Sequence, residues 1–412
     1  MKLWPATGWR VGLCCAWLVI CGATAADAGG FRTNLVLGVL QVYDDNVLFA
    51  YDDLTGGEPK LSDFITTISP GLEVEYERGK LNGTLSVRHD IAHYFEYDDL
   101  NSVDQSYQGT LSYSPNELSF LNLNAGYKRI FSTDSDLQTS GVLLDNTERR
   151  RQTYGAQLRR LLSETLMTTL SYDYMRDDYA SNRYTDSEVN SFSLGLQKEV
   201  DWLPEGYVYA SAGCMLYRTA STRQRNESLL LGGGFRLTEG ISINLDAGVR
   251  KMRSKYDAWE LEWVAWPFLY TVTPVRRTEE EWGQVAHGRI QYEGEMTTAS
   301  LGFGYDVQPS GGQGTLTERT QVQFNVERRL TEDWRVRGFS SYFLNYREGY
   351  QGRYAQDKTT LNAGFELSCE INRYLTIRGR YLRTWAEDDR TGREADRNRF
   401  LLQLTGEYEL FQ

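Results

Sequence analysis

The chain has 412 residues, 44 Lys and Arg against 56 Asp and Glu, and a formal net charge of −12, a balance that argues against a nucleic-acid partner. Mean hydropathy is −0.51, and beyond the first thirty residues no apolar run approaches the ~18 residues of a membrane helix, which excludes a helical membrane protein. It leaves open a membrane β-barrel, whose hydropathy is diluted by the lumen-facing half of every strand.

The N-terminus reads as an export signal. Lys2 and Arg10 supply a basic start, Val11 to Gly22 an apolar core, and Ala23-Thr24-Ala25 or Ala26-Asp27-Ala28 a small-residue cleavage site. Cys21 suggests a lipoprotein, but Ile20 stands where that signal needs a small residue. The expected organisation is a signal peptide over 1–28 and one barrel over 29–412, with no linker or second domain.

Alternating apolar and polar residues mark strands, because successive side chains point to opposite faces. The alternation predicts strands at 34–43, 64–78, 80–97, 103–114, 118–131, 147–162, 165–179, 185–200 and 206–220. It continues at 224–237, 240–256, 279–294, 296–309, 316–330, 333–348, 355–371, 374–388 and 395–411. The clearest pair is Leu229–Val249. Leu229, Leu231, Gly233 and Phe235 share one parity, and after Thr238-Glu239-Gly240 the apolar parity resumes at Ile241, Ile243, Leu245, Ala247 and Val249. Each arm has about the 9–11 residues that a tilted strand needs to cross a bilayer. Gly232-Gly233-Gly234 sits within a strand, where it allows bending or close packing rather than phosphate binding.

Connections alternate in length. Short turns fall at Gly79, Pro115-Asn116-Glu117, Ser163-Glu164, Glu295, Thr331-Glu332 and Asn372-Arg373, and long loops at 44–63, 132–146, 257–278, 349–354 and 389–394. Short turns at one end and long loops at the other define the expected fold. It is a single all-β transmembrane antiparallel β-barrel of 18 strands, with 16 as the fallback, both termini and the short turns being periplasmic. Residues expected to face lipid include Leu72, Val74, Tyr76, Leu170, Tyr172, Leu194, Phe303, Val307, Phe324 and Leu402.

The opposite parity lines the lumen. It carries Arg149, Arg151, Arg159, Arg335, Arg337, Arg347, Arg378, Arg380 and Arg399, facing Glu73, Glu75, Asp173, Glu327, Glu366 and Glu370. These charges either pair across strands and solvate a wide pore, or form a cationic track for an anionic or polyhydroxylated polymer. No catalytic residue, metal or cofactor is expected. His89 and His93 stand ~13 Å apart on a strand, too far for one metal, and His89 and Asp90 point to opposite faces. The connection 257–278 is rich in aromatics: Trp259, Trp263, Trp266, Phe268 and Tyr270. They would constrict the mouth, stack on sugars, dip into the outer leaflet or cap the barrel, and the spacing of the tryptophans allows a short helix. The end, Thr405 to Gln412, resembles a barrel-assembly signal, with Phe411 penultimate, which implies recognition by the barrel-assembly machinery.

Gly38-Val39-Leu40-Gln41-Val42-Tyr43-Asp44-Asp45-Asn46-Val47, followed by Ile68-Ser69-Pro70-Gly71-Leu72-Glu73-Val74, resembles the opening of the outer-membrane β-barrel porin-like family associated with exopolysaccharide gene clusters. The resemblance implies an outer-membrane pore that takes part in exporting an exopolysaccharide, surrounded by outer-membrane lipid and working with a periplasmic polysaccharide-export protein. A passive or solute-selective uptake porin and a non-transporting barrel are the alternatives. A barrel of this size leaves an aqueous channel for either transport role.

Overall fold

The computed structural model describes residues 30–51, 59–131, 137, 141, 147–265, 269–347, 356–389 and 391–411; the export signal expected at 1–28 lies outside them. The strands are β1 (Phe31–Asp44), β2 (Asp63–Arg78), β3 (Leu81–Tyr94), β4 (Ser102–Asn116), β5 (Ser119–Ile130), β6 (Arg149–Leu161), β7 (Leu166–Tyr179), β8 (Ser187–Val200) and β9 (Gly206–Arg218). They continue as β10 (Thr222–Thr238), β11 (Ile241–Ala265), β12 (Leu269–Glu293), β13 (Thr297–Pro309), β14 (Leu316–Arg329), β15 (Trp334–Arg347), β16 (Gln356–Asn372), β17 (Leu375–Asp388) and β18 (Arg393–Phe411). Each pairs antiparallel with its neighbours in sequence, and β1 pairs with β18, which closes an 18-stranded barrel. Closure leaves no edge strand, the condition lipid imposes on a membrane-crossing sheet, although β12 pairs with β13 only from Ala286 to Glu293.

The faces follow parity. Leu35, Leu37 and Val39, Leu170, Leu194 and Leu196, Leu229 and Leu231, and Leu402 and Leu404 are exposed on the outer surface. Cross-strand ring pairs reinforce that belt, with Tyr107–Tyr127 and Tyr154–Tyr174 stacked at 5.9 Å and Tyr381–Phe400 tilted at 4.9 Å. Free Cys214 and Cys369 lie on β9 and β16. Gly232 on the inner wall is a close-packing position, since a Cβ there would meet the Tyr209 ring at 2.8 Å.

Two expectations need correction. The aromatic stretch is not a loop or a short helix. β11 runs on to Ala265 and β12 starts at Leu269, so the chain forms one long hairpin in which Trp259 pairs with Pro274 and Trp263 with Tyr270. Trp259, Leu261 and Trp263 alternate with Glu260 and Glu262, a period-two pattern, and Trp, Val, Thr and Tyr all suit strands. Trp266 and Phe268 lie outside the described residues.

The second correction is Val307, which does not face lipid. It is buried with Val189, Tyr217, Met252 and Leu316. β12 pairs with β13 only from Ala286–Tyr305 to Glu293–Thr298. Above that point the tip of the β13–β14 hairpin leaves the wall and folds inside the barrel. Its outward parity thus meets the inner face of β8, β9 and β11, where Val189, Tyr217 and Met252 stand. Polar bonds hold it there: the Leu316 N–H donates to Gln224 Oε1 at 2.8 Å and the Thr185 N–H to the Gly312 carbonyl at 2.7 Å.

Candidate functional site

The lumen is narrowed at its long-loop end, and the folded-in β13–β14 tip is one cause. Another is the pair Leu137 and Gly141, from between β5 and β6. Leu137 is fully buried with Phe49, Ala386 and Ala395. Asn362 Nδ2 donates to its carbonyl at 3.2 Å, and the Thr360 hydroxyl donates to the carbonyl of Gly141 at 2.9 Å. These partners sit on β16, across the barrel from β5 and β6 in strand order, so Leu137 and Gly141 stand on the far side of the mouth from the strands they follow and precede. Gly141 fits because its φ is +66° and a Cβ there would meet Phe343 Cβ at 2.7 Å.

Residues 45–51, which follow β1, also turn inward. Asn46 Nδ2 donates to the carbonyls of Ala50 at 3.1 Å and Asp396 at 3.0 Å, and the Ala50 N–H returns to Asn46 Oδ1 at 2.8 Å. This loop seats Phe49 against the Arg397 guanidinium, 5.1 Å from the ring centre. Burial, with Asp388 adding to it, pushes the nearby Tyr51 phenol up to about 12.

These insertions divide the lumen's arginines. Near the long-loop end Arg149, Arg250, Arg319, Arg397 and Arg399 are buried. Arg151 makes a two-pronged bond to Asp177 at 2.7 and 2.6 Å, and Arg397 stands 3.7 Å from Asp44. Arg250, with no exposed side-chain surface, binds Glu318 on the folded-in tip and lies 3.5 Å from Glu281. Gly283 makes room for it, since a Cβ there would lie 2.5 Å from the guanidinium carbon. Arg319 donates from Nε to Asn345 Oδ1 at 2.8 Å. Such pairs, formed away from bulk water, are stronger and more rigid than surface pairs.

The predicted arginines nearer the short turns are open to the lumen. Arg335 pairs with Glu370 at 2.8 Å, Arg380 Nε bonds Glu366 at 2.7 Å, and Arg337 reaches Asn325 at 3.3 Å. Arg378 stands opposite Ser368 and Gln403, and Arg159 lies over the Phe120 ring at 4.6 Å. Glu73 and Glu75 share the inner face of β2, with Glu75 3.7 Å from Arg32; Asp173 is opposite Gly155 and Ser191; Glu327 is opposite Arg337. Arg347 ends β15 opposite Gln356.

Sequence reasoning missed Arg250, Arg319 and Arg397 as the deeply buried cations. It also missed a small inner-wall network, in which Asp246 accepts from the Tyr209 hydroxyl at 2.7 Å and lies 2.7 Å from His287 Nδ1. Parity gave their direction. Their burial depends on segments folding inward, which parity does not report. Among the described residues no cluster of His, Cys, Asp or Glu suits a metal ion.

A closed 18-stranded antiparallel barrel with an apolar outer belt and a polar lumen is an outer-membrane, porin-like fold. No protein-family model matches the sequence, and no curated protein is similar to it. Among solved structures the chain is similar to OccK2 (OpdF) of Pseudomonas aeruginosa, at 10% identity and TM-score 0.44 over 93% of this chain and 100% of that one. OpdL of Pseudomonas aeruginosa is similar at 14% identity and TM-score 0.42, over 92% and 99%. The alcaligin outer-membrane receptor FauA of Bordetella pertussis follows at 10% and 0.43, over 90% and 76%.

Proposed function

We propose that the protein is a solute-selective uptake porin of the bacterial outer membrane, with short turns and both termini on the periplasmic side. The observation that supports this most is the narrowed mouth. Leu137, Phe49 and Leu316 are buried parts of the inner packing, not loops left in solvent. A polymer needs a continuous wide lumen, whereas fixed segments with buried charge suit small solutes screened by size and charge. Purified barrel in liposomes should admit monosaccharide-sized and small charged solutes and exclude long oligosaccharides, as read by osmotic swelling.

The resemblance at Gly38–Val47 and Ile68–Val74 supports a second reading, export of an exopolysaccharide with a periplasmic export protein. Ready passage of long oligosaccharide chains through the wild-type barrel would favour export and remove the uptake proposal. The arginines Arg335, Arg337, Arg378 and Arg380 would then be its track; the direct pairing of Arg335 with Glu370 and of Arg380 with Glu366 weakens that role.

A further inference from the structure

On the outer surface of β9, β10 and β11, Arg218 stands opposite Arg223, and Arg223 opposite Lys255. All three are exposed, and none has an ion pair among the described residues. One row lower, Arg225 pairs with Glu227, and Lys251 and Arg253 share Glu280. Three like charges side by side on adjacent strands, ~4.8 Å apart, repel one another unless an anion sits among them. Glu188 of β8 stands opposite Arg218 at the end of the row, but accepts from Asn190 and, among the described residues, forms no ion pair with Arg218.

Lower on the same sector is an apolar groove of about 550 Å³ over Gly288, flanked by Leu231, Leu245, Ile290, Leu301 and Phe303. The outward apolar run of β11 is Ile241–Val249, centred on Leu245. Lys255 is ten positions above Leu245, ~33 Å along the strand at ~3.3 Å per residue and ~23 Å in depth at a ~45° tilt. Half a bilayer with its headgroups measures ~20–22 Å, so the groove lies near the midplane and the cationic row at headgroup height. Between them, above Ala286, β12 has no ladder partner on the β13 side among the described residues. An unpaired strand edge is unfavourable against hydrocarbon and calls for a polar neighbour.

We infer that this sector binds one anionic, phosphomonoester-bearing lipid of the surrounding leaflet. An acyl chain lies in the groove over Gly288, the polar headgroup passes the open edge of β12, and its phosphate is held by Arg218, Arg223 and Lys255. Guanidinium and ammonium groups suit phosphate oxygens through charge-assisted hydrogen bonds. The name of the leaflet rests on the orientation proposed above; the binding itself does not.

The test uses the full barrel in detergent micelles doped with bisphosphorylated lipid A, its dephosphorylated form or phosphatidylethanolamine, and counts retained lipid by native mass spectrometry. The wild type should retain the bisphosphorylated lipid about tenfold more than either of the others. The triple variant Arg218→Gln, Arg223→Gln, Lys255→Gln should lose about tenfold of that retention. So should Gly288→Leu, which fills the groove; a Cβ there meets Leu245 Cδ2 at 3.1 Å, a side-chain end that can shift. Faster migration of unheated samples on a gel verifies that each variant is folded. Equal retention of the three lipids overturns the inference, as does wild-type retention in either variant. A dimer that Gly288→Leu dissolves while lipid retention stays unchanged also overturns it, in favour of a second copy of the chain.

Discussion

The two halves of the lumen use the same residue types to different ends. Towards the short turns, Arg335 and Glu370 pair with 45% of each side chain exposed. Towards the long loops, Arg250 pairs with Glu318 with none of its own side chain exposed. An exposed pair is worth ~0–1 kcal/mol, whereas removing one partner of a buried pair costs ~3–5 kcal/mol, because a charge is left in a dry setting. The difference comes from which side chains the inward-folded segments cover. One half of the wall is therefore a solvated surface, and the other is the rigid frame of a constriction.

The largest break in that contrast is Arg250→Ala. Loss of the Glu318 partner should cost ~3 kcal/mol, the low end of the buried range because Glu318 keeps some exposure. It should free the β13–β14 tip and raise single-channel conductance several-fold. Gly141→Ala comes next, at ~1–3 kcal/mol, since it combines a φ of +66° with a clash against Phe343. Gly141 and Leu137 should lose their bonds to Thr360 and Asn362, and planar-bilayer recordings should show a noisier, wider channel. Arg335→Gln is the counterpart in the open half: a change under ~1 kcal/mol in denaturant titration and little change in conductance.

The smallest effect is a response to acid. Burial pushes the Glu148 carboxyl up, but hydrogen bonds and charges from Arg129 and Arg150 outweigh it and hold the group below its ordinary 4.5. With the folded-state value depressed, the stabilisation is complete above about pH 4.5 and is lost as pH falls through the lower folded-state value. Glu148 immediately precedes β6, seven positions after Gly141. Conductance should therefore stay flat from neutral pH to about 5 and rise below that; Glu148→Gln should remove the dependence.

The barrel itself was legible in the sequence. Alternation at Leu229–Val249 and the rhythm of short and long connections gave the strand number, the pairing and outer-face positions such as Leu170, Leu194 and Leu402. Two places were misread for physical reasons. In Asp257–Thr278 Trp259, Trp263 and Trp266 fit a helical spacing while Trp259 and Trp263 also fit a strand period, and aromatic content suggested a loop site where strand propensity prevailed. Val307 has the parity of a lipid-facing residue, yet the wall parts beside it and turns that parity inward. The buried arginines share this second cause. Their direction is a local property of the strand, whereas their burial arises from contacts such as Gln224 with Leu316 and Asn362 with Leu137, which join positions far apart in the chain.

The folded-in hairpin is the centre of this account, and Val307 tests it most directly. In a background with Cys214→Ser and Cys369→Ser, Val307→Cys should be modified neither by a membrane-impermeant maleimide nor by a lipid-soluble one, because its position is 1% exposed. Val326→Cys, on the outer face of β14 opposite Ala299 and Gly338, should react with the lipid-soluble reagent. Adding Arg250→Ala should open Val307→Cys to the impermeant reagent. Reaction of Val307→Cys with the lipid-soluble reagent as fast as Val326→Cys, in the intact folded barrel, would show an unbroken wall and contradict the account.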